Sequence, residues 1–551
     1  MKKIFYLVLF VLCAFLLVGC DETSGRTFQL KATSATPLRE KIEFVLVLND
    51  PDKQLGKSAI KGTISEKGSK TVKQTKTPSF TESNEYTDTV SFTGLEPATT
   101  YSVEFYASYN GKKITLISGD YTTLNEGTAE NPYKISSYEQ FDTYVRNERN
   151  GHFELTGDID FKGKSIKPLF QTAFTGTFNG NNFTIKNFTL ATKVEAENDD
   201  VELTHSASRD QYNGLFGIIG SGAKVYDFKL ENFQIYVSRD SARNTGTYAE
   251  TRYYYGVLAG ECSGEISNVD IVKGITENNE EVISTLNVKC ENKNKQVFKV
   301  GGLVGRLANE GTIKDCEITL DINVEGAKDV SVGGIAGTTR GTSQVKETVE
   351  GIETIVPNIS NTNFTGNINV SINGATSEES HLAIGGLVGK NAASYISECD
   401  ADVAISLVSK FTENDGQSIF VGGLVGKNMS DNSKVDNCTA TASFDVETKD
   451  VPTEDNKINI YIGMFAGRNG GDDVETKSVI SNCTFVSKGE NKLCVADNGN
   501  VTHNFDVVGS AMVGTKVENP TLPTVTPTIS VEKYVPTEEP DTNEGTEEEL
   551  Q

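Results

Sequence analysis

The stretch Val300–Arg306, VGGLVGR, returns along the chain as VGGIAGT, IGGLVGK and VGGLVGK. Aligned on the last glycine of the phrase, seven copies fall at Gly217, Gly260, Gly305, Gly337, Gly389, Gly426 and Gly467, at spacings of 43, 45, 32, 52, 37 and 41 residues. Two residues before each glycine stand Leu215, Leu258, Leu303, Ile335, Leu387, Leu424 and Phe465, an apolar column without exception. Further upstream, the pairs Tyr253/Tyr255, Phe298/Val300, Val330/Val332, Leu382/Ile384, Ile419/Val421 and Ile460/Ile462 alternate with mostly polar residues. Period two means strands with one buried face, and the uneven spacing means loops of variable length between fixed strands. One unit cannot bury its own apolar face. Stacking units makes the core continuous, and repetition in one direction pairs equivalent strands in parallel. The glycines let the backbone turn sharply or approach the next coil closely.

A second strand follows each phrase, opened by an I-x-x-C signature at Ile313 to Cys316, Ile396 to Cys399, Val435 to Cys438 and Ile480 to Cys483. Ile266 to Val269 and Ile359 to Thr362 fill the same places with other side chains. Alternation then resumes, as in Cys316-x-Ile318-x-Leu320-x-Ile322-x-Val324, so these cysteines point inward and stack coil upon coil. A buried thiol behaves as a small hydrophobe. No C-x-x-C pair occurs, and the four histidines, His152, His205, His381 and His503, lie far apart, so the sequence offers no metal site and no cofactor site.

Residues 26–124 read as short alternating strands with turns about every ten residues, the cadence of a β-sandwich. Within them Leu95-Glu96-Pro97-Ala98-Thr99-Thr100-Tyr101 resembles the L-x-P-x-T-x-Y phrase around the tyrosine corner of fibronectin type III domains, although the tryptophan usual in the second strand is missing. Residues 125–200 follow as an N-terminal cap and first coils. There Ser137 is placed to cap a short helix with Tyr138, Phe141 and Val145 on one face, closing the solenoid's end. Repeats occupy 201–514. Residues 515–551 lose all periodicity, are rich in proline, threonine and glutamate, and read as a disordered tail.

At the N-terminus, Lys2 and Lys3 precede a short apolar run that ends in Leu17-Val18-Gly19-Cys20. This resembles the lipobox of bacterial lipoproteins, which implies cleavage after residue 19, acylation of Cys20, a linker over 20–25 and a membrane partner reached through the lipid. Asp21 and Glu22 partly resemble the export tag of surface lipoproteins in Bacteroidota, implying a cell-surface position on the outer membrane. Asp88-Thr89-Val90 and Asp240-Ser241-Ala242 resemble a short O-glycosylation signal of the same group. A formal net charge of -25 excludes nucleic acid as a natural partner.

The repeats themselves resemble the GLUG family of large bacterial surface proteins, over about residues 126–514. The resemblance implies a β-helix-like solenoid, so the expected fold is all-β, a fibronectin type III-like sandwich followed by a parallel solenoid. The metallopeptidase pair of histidines found in some such proteins is absent, as are a nucleophile elbow, a P-loop and a dinucleotide fingerprint. No catalytic residue is assigned. The acidic pairs Asp158/Asp160, Asp199/Asp200 and Asp472/Asp473 are the residues a polysaccharide-degrading alternative would use. The expected ligand site is a column taken to face outward, Gln211, Tyr254, Lys299, Ser331, Ala383, Phe420 and Tyr461, whose rings Tyr254, Phe420 and Tyr461 could stack on a glycan or a host surface protein. The reading is therefore an adhesin-like binding protein without catalysis. The alternatives are a polysaccharide-degrading enzyme and an accessory lipoprotein of a glycan-uptake or fimbrial assembly.

Overall fold

The computed structural model describes residues 26–533 apart from 56–59, 83–84, 170–171, 192–209, 240–250, 276–278, 291–295, 327–328, 340–344, 350–351, 379–380, 416–417, 450–457, 472–476, 496–500, 513–514 and 525–526. The chain divides into two compact units, Met1–Glu126 and Gly127–Gln551. The leader, Cys20, the Asp199/Asp200 and Asp472/Asp473 pairs, and Asp240-Ser241-Ala242 lie outside the described residues.

Among the described residues, the first unit holds seven strands, β1 (Gln29–Pro37), β2 (Lys41–Asn49), β3 (Lys61–Glu66), β4 (Gln74–Lys76), β5 (Thr87–Thr93), β6 (Thr100–Tyr109) and β7 (Lys112–Thr122). They form two antiparallel sheets, β1-β2-β5 and β4-β3-β6-β7. Alternation puts Ile42, Phe44 and Leu46 of β2 and Tyr101, Val103, Phe105 and Ala107 of β6 into one core between the sheets. At the place where tryptophan is lacking, Phe44 is the aromatic centre. It meets Phe92, Phe105 and Tyr121 edge-on, with centroids 6.2, 5.2 and 5.0 Å away. The Tyr101 hydroxyl accepts the Glu96 N–H at 2.9 Å from a fully buried ring, the geometry its sequence phrase predicts.

The second unit is a parallel β-solenoid. Its first rungs pair Tyr133–Ile135 with His152–Leu155 and that strand with Thr177–Lys186. The predicted cap helix is present but short, an α-turn at Tyr138–Gln140 continued by a π-turn at Phe141–Val145. Ser137 Oγ accepts the Gln140 N–H at 3.3 Å. Phe141 packs edge-on against Phe161 and Phe178, which closes this end of the core.

The strands before each phrase stack in register, running Tyr255, Val300, Val332, Ile384, Val421, Ile462. Those after each phrase stack likewise, and the unbroken strand Ile458–Asn469 joins both series into one fourteen-stranded sheet. The strands carrying the I-x-x-C signature build the opposing sheet of twenty-one strands. Leu258, Leu303, Ile335, Leu387, Leu424 and Phe465 are fully buried between the sheets. Close approach explains two of the phrase glycines. A Cβ on Gly386 would run into the carbonyl of Gly423 in the next coil, and one on Gly305 would run into the Tyr255 nitrogen of the coil before.

Cys316, Cys399, Cys438 and Cys483 are buried on the inner face of their strands, as expected. Each thiol donates to the carbonyl two residues back, at 3.2, 3.1, 3.2 and 3.2 Å, and Thr362 fills its rung with the same bond at 2.9 Å. The bond closes over a residue held at positive φ, namely Asp315, Asn361, Glu398, Asn437 and Asn482. The kink does not require a donor, since Asp227 and Asn268 are held at positive φ before Phe228 and Val269, which pair in the same ladder.

Two expectations are corrected. Residues 515–533 are not a disordered tail: Lys516–Glu518 pairs with Val479–Ser481 and Ile529–Lys533 with Asn491–Val495, so the solenoid runs on to Lys533. The coils here are short strands separated by prolines, and no period survives in the sequence to announce them. The register also replaces Gln211 by Tyr212 opposite Tyr254, because Gln211 pairs with Tyr253.

Candidate functional site

On the face of the fourteen-stranded sheet turned away from the core, parallel pairing builds one column: Tyr212, Tyr254, Lys299, Ser331, Ala383, Phe420, Tyr461 and Asn504. Because parallel strands repeat at ring-stacking distance, neighbouring aromatics lie flat on one another. Tyr212 and Tyr254 have centroids 5.1 Å apart and planes 16° apart, and Phe420 and Tyr461 have 5.3 Å and 10°. Beside this column runs a second one from the residue after each phrase, Glu261, Arg306, Thr338, Lys390, Lys427 and Arg468. Its cations sit over the rings. The Arg306 guanidinium lies 5.5 Å from the Tyr254 centroid, and Lys427 Nζ and the Arg468 guanidinium lie 4.8 and 5.8 Å from Phe420.

Electrostatically the two ring pairs differ. Arg306 Nε stands 3.3 Å from Glu261. Burial works against its charge, but Glu261 and the tyrosine rings outweigh that and raise its pKa. The Phe420 pair has two cations above it, and Arg468 also donates to the Gly471 carbonyl at 2.6 Å. Between the pairs, Lys299 donates to Asp329 and to Ser331, both at 3.0 Å.

The expected exposure does not hold for two of the three rings. Tyr254 is 4% exposed and Phe420 2%, whereas Tyr461, like Tyr212, is half-buried. Alternation places a side chain on the outer face but cannot say what lies over that face. Tyr212 and Tyr461 are therefore the more accessible rings of the column, each stacked along it on a buried neighbour, Tyr254 or Phe420.

Of the acids named for the enzyme alternative, the described pair Asp158 and Asp160 accepts hydrogen bonds from neighbouring strands and turns. Asp158 accepts the Thr184 N–H at 2.9 Å, and Asp160 accepts the Lys162 N–H at 2.8 Å and the Asn187 amide at 2.9 Å. Burial works to raise the Asp160 pKa, but these two donors outweigh it and hold it low. Among the described residues no cluster of three or more His, Cys, Asp or Glu is placed to hold a metal ion.

Sequence reasoning missed a polar ladder. Asn391 accepts from Thr339 at 2.8 Å and donates to Asn428 at 3.0 Å, and Asn428 donates to Asn469 at 2.9 Å, all four fully buried. The signal was present as a repeated Gly-Lys-Asn or Gly-Arg-Asn directly after the phrase, at Gly389, Gly426 and Gly467.

Comparison with known proteins bears on this same segment. Residues 421–447, which begin at the first residue of one phrase and end in the strand beyond Cys438, match a family model described as the GLUG motif. The chain carries a GLUG motif. The matched GLUG segment contains Phe444, Lys427 and Asn428, so both the inner core and the outer cation column pass through it. Halomucin of Haloquadratum walsbyi (strain DSM 16790 / HBSQ001) is similar at 24% identity over 221 residues. That match covers 38% of this chain and 2% of halomucin's own length.

Proposed function

We propose that this GLUG-repeat protein is a lipid-anchored, adhesin-like binding protein of the cell surface, whose sandwich is of the fibronectin type III kind and whose solenoid presents a ring-and-cation face to a glycan or a host surface protein. The observation that carries the reading is half-buried Tyr461 stacked on buried Phe420, whose ring lies under Lys427 and Arg468, so that an accessible ring stands beside two cations. Such steps bind sugar rings or planar side chains by stacking, and a rigid parallel scaffold holds them without ordering cost. Likeness to a halomucin over part of the chain supports a role outside the cell. The outer-membrane location rests on the lipobox at Cys20.

The test has two arms. Immobilised on glycan and host-protein arrays, the wild-type chain is expected to retain a ligand that Tyr461→Ala and Tyr212→Ala each weaken about two- to tenfold, since one ring-stacking contact is worth about 0.5–1.5 kcal/mol. Retention unchanged in both variants removes the face from the proposal. Protease applied to intact cells is expected to shave the protein, and Cys20→Ser to release it from the membrane fraction; a protein untouched by protease contradicts the location.

A further inference from the structure

The two ends of the solenoid are finished differently. At the first, Tyr133, Ile135, Phe141 and Val145 are all buried beneath the cap. At the last, the strands Val501–Ala511, Lys516–Glu518 and Ile529–Lys533 pair on one side only among the described residues. Their core-side residues stand open. Phe505 over Ile462 and Val517 over Ile480 are half-buried and Val531, opposite Leu493, is 50% exposed; Leu522, next to the bridge between Thr521 and Thr484, is 39% exposed. A flat edge of unpaired backbone above an apolar core is a template for strand addition.

Residues 534–551 are chemically unsuited to cover it, since YVPTEEPDTNEGTEEELQ carries seven carboxylates and, past Val535, one leucine as its sole large apolar side chain. A second copy of the same end is suited. Lys516 and Glu518 flank Val517 and pair with each other at 3.4 Å. In an antiparallel pairing centred on Val517, Lys516 of each copy faces Glu518 of the other, so the pattern is its own complement. Isologous contacts about a two-fold axis require this. We infer that the protein associates end to end through its last coil, with the strand Lys516–Glu518 paired antiparallel across a two-fold axis and Leu522 and Val531 buried between the copies.

Sedimentation equilibrium of the full chain in density-matched detergent is expected to give twice the monomer mass, and Leu522→Glu with Val531→Glu to return it to the monomer. Both sites are exposed, so the variant should keep its β circular dichroism. Residues directly opposite in an antiparallel pair are about 4.5–5.5 Å apart at Cα, within disulfide range. Val517→Cys is therefore expected to yield a cross-linked dimer on mild oxidation that the wild type does not. A wild type that stays monomeric into the micromolar range overturns the inference, as does a dimer that survives the double substitution or a dimer in which Val517→Cys forms no cross-link.

Discussion

Asn428 donates its side-chain amide to Asn469 at 2.9 Å while accepting the Asn391 amide at 3.0 Å, three fully buried residues bonded across successive coils. The ladder fixes coil against coil where apolar packing alone would allow a slip. Asn428→Ala breaks both bonds, leaving the Asn391 amide with the Ser394 carbonyl at 3.1 Å and the Asn469 oxygen with the Ser478 hydroxyl at 2.9 Å, so each lost bond costs about 0.5–1.5 kcal/mol, and the vacated buried volume adds to that. Urea unfolding of the solenoid is expected to lose about 2–4 kcal/mol.

Gly386 lies so close to the Gly423 carbonyl that a methyl group must push the two coils apart. Gly386→Ala is expected to destabilise the solenoid by several kcal/mol, on the scale of about 1–3 for overpacking plus lost pairing. The same substitution at Gly489, where a Cβ meets nothing, should be near neutral. Thermal unfolding of the two variants side by side checks this.

How far the sequence could be read follows from the same contacts. Period-two alternation and the phrase glycines reveal the coils because every rung solves one packing problem with the same residues. Tyr101 was legible for a similar reason: its hydroxyl bond to Glu96 needs a fixed local phrase. The last coil was not, since Val517 and Val531 belong to rungs without a phrase. Tyr254 and Phe420 were placed on the outer face by alternation, yet they are buried, because Tyr212 and Arg306 lie against Tyr254 and Tyr461, Lys427 and Arg468 lie against Phe420, contacts made between strands and not along one.

Tyr101→Phe removes the hydroxyl that accepts the Glu96 N–H and keeps the ring. The loss is expected to be about 1–2 kcal/mol, confined to the sandwich, because one backbone donor is left without its partner. Calorimetry should show the sandwich transition lowered and the solenoid transition unmoved.

Burial pushes the thiols of Cys262 and Cys316 up to about 12. An acid with a raised folded pKa contributes stability that is complete below its unfolded value, about 8.5, and is lost as pH rises toward the folded value. Solenoid stability should therefore fall between about pH 9 and 12. Replacing Cys316 by Thr, the residue that fills the equivalent rung at Thr362, should flatten part of that fall. Chemical denaturation across pH measures both.

The account stands on successive coils enclosing one dry interior. Site-resolved alkylation of the native protein, read by mass spectrometry, tests this most directly: Cys316, Cys399, Cys438 and Cys483 should stay unlabelled until unfolding, while half-buried Cys494 reacts. Labelling of the four at the rate of Cys494 in the folded protein would contradict it.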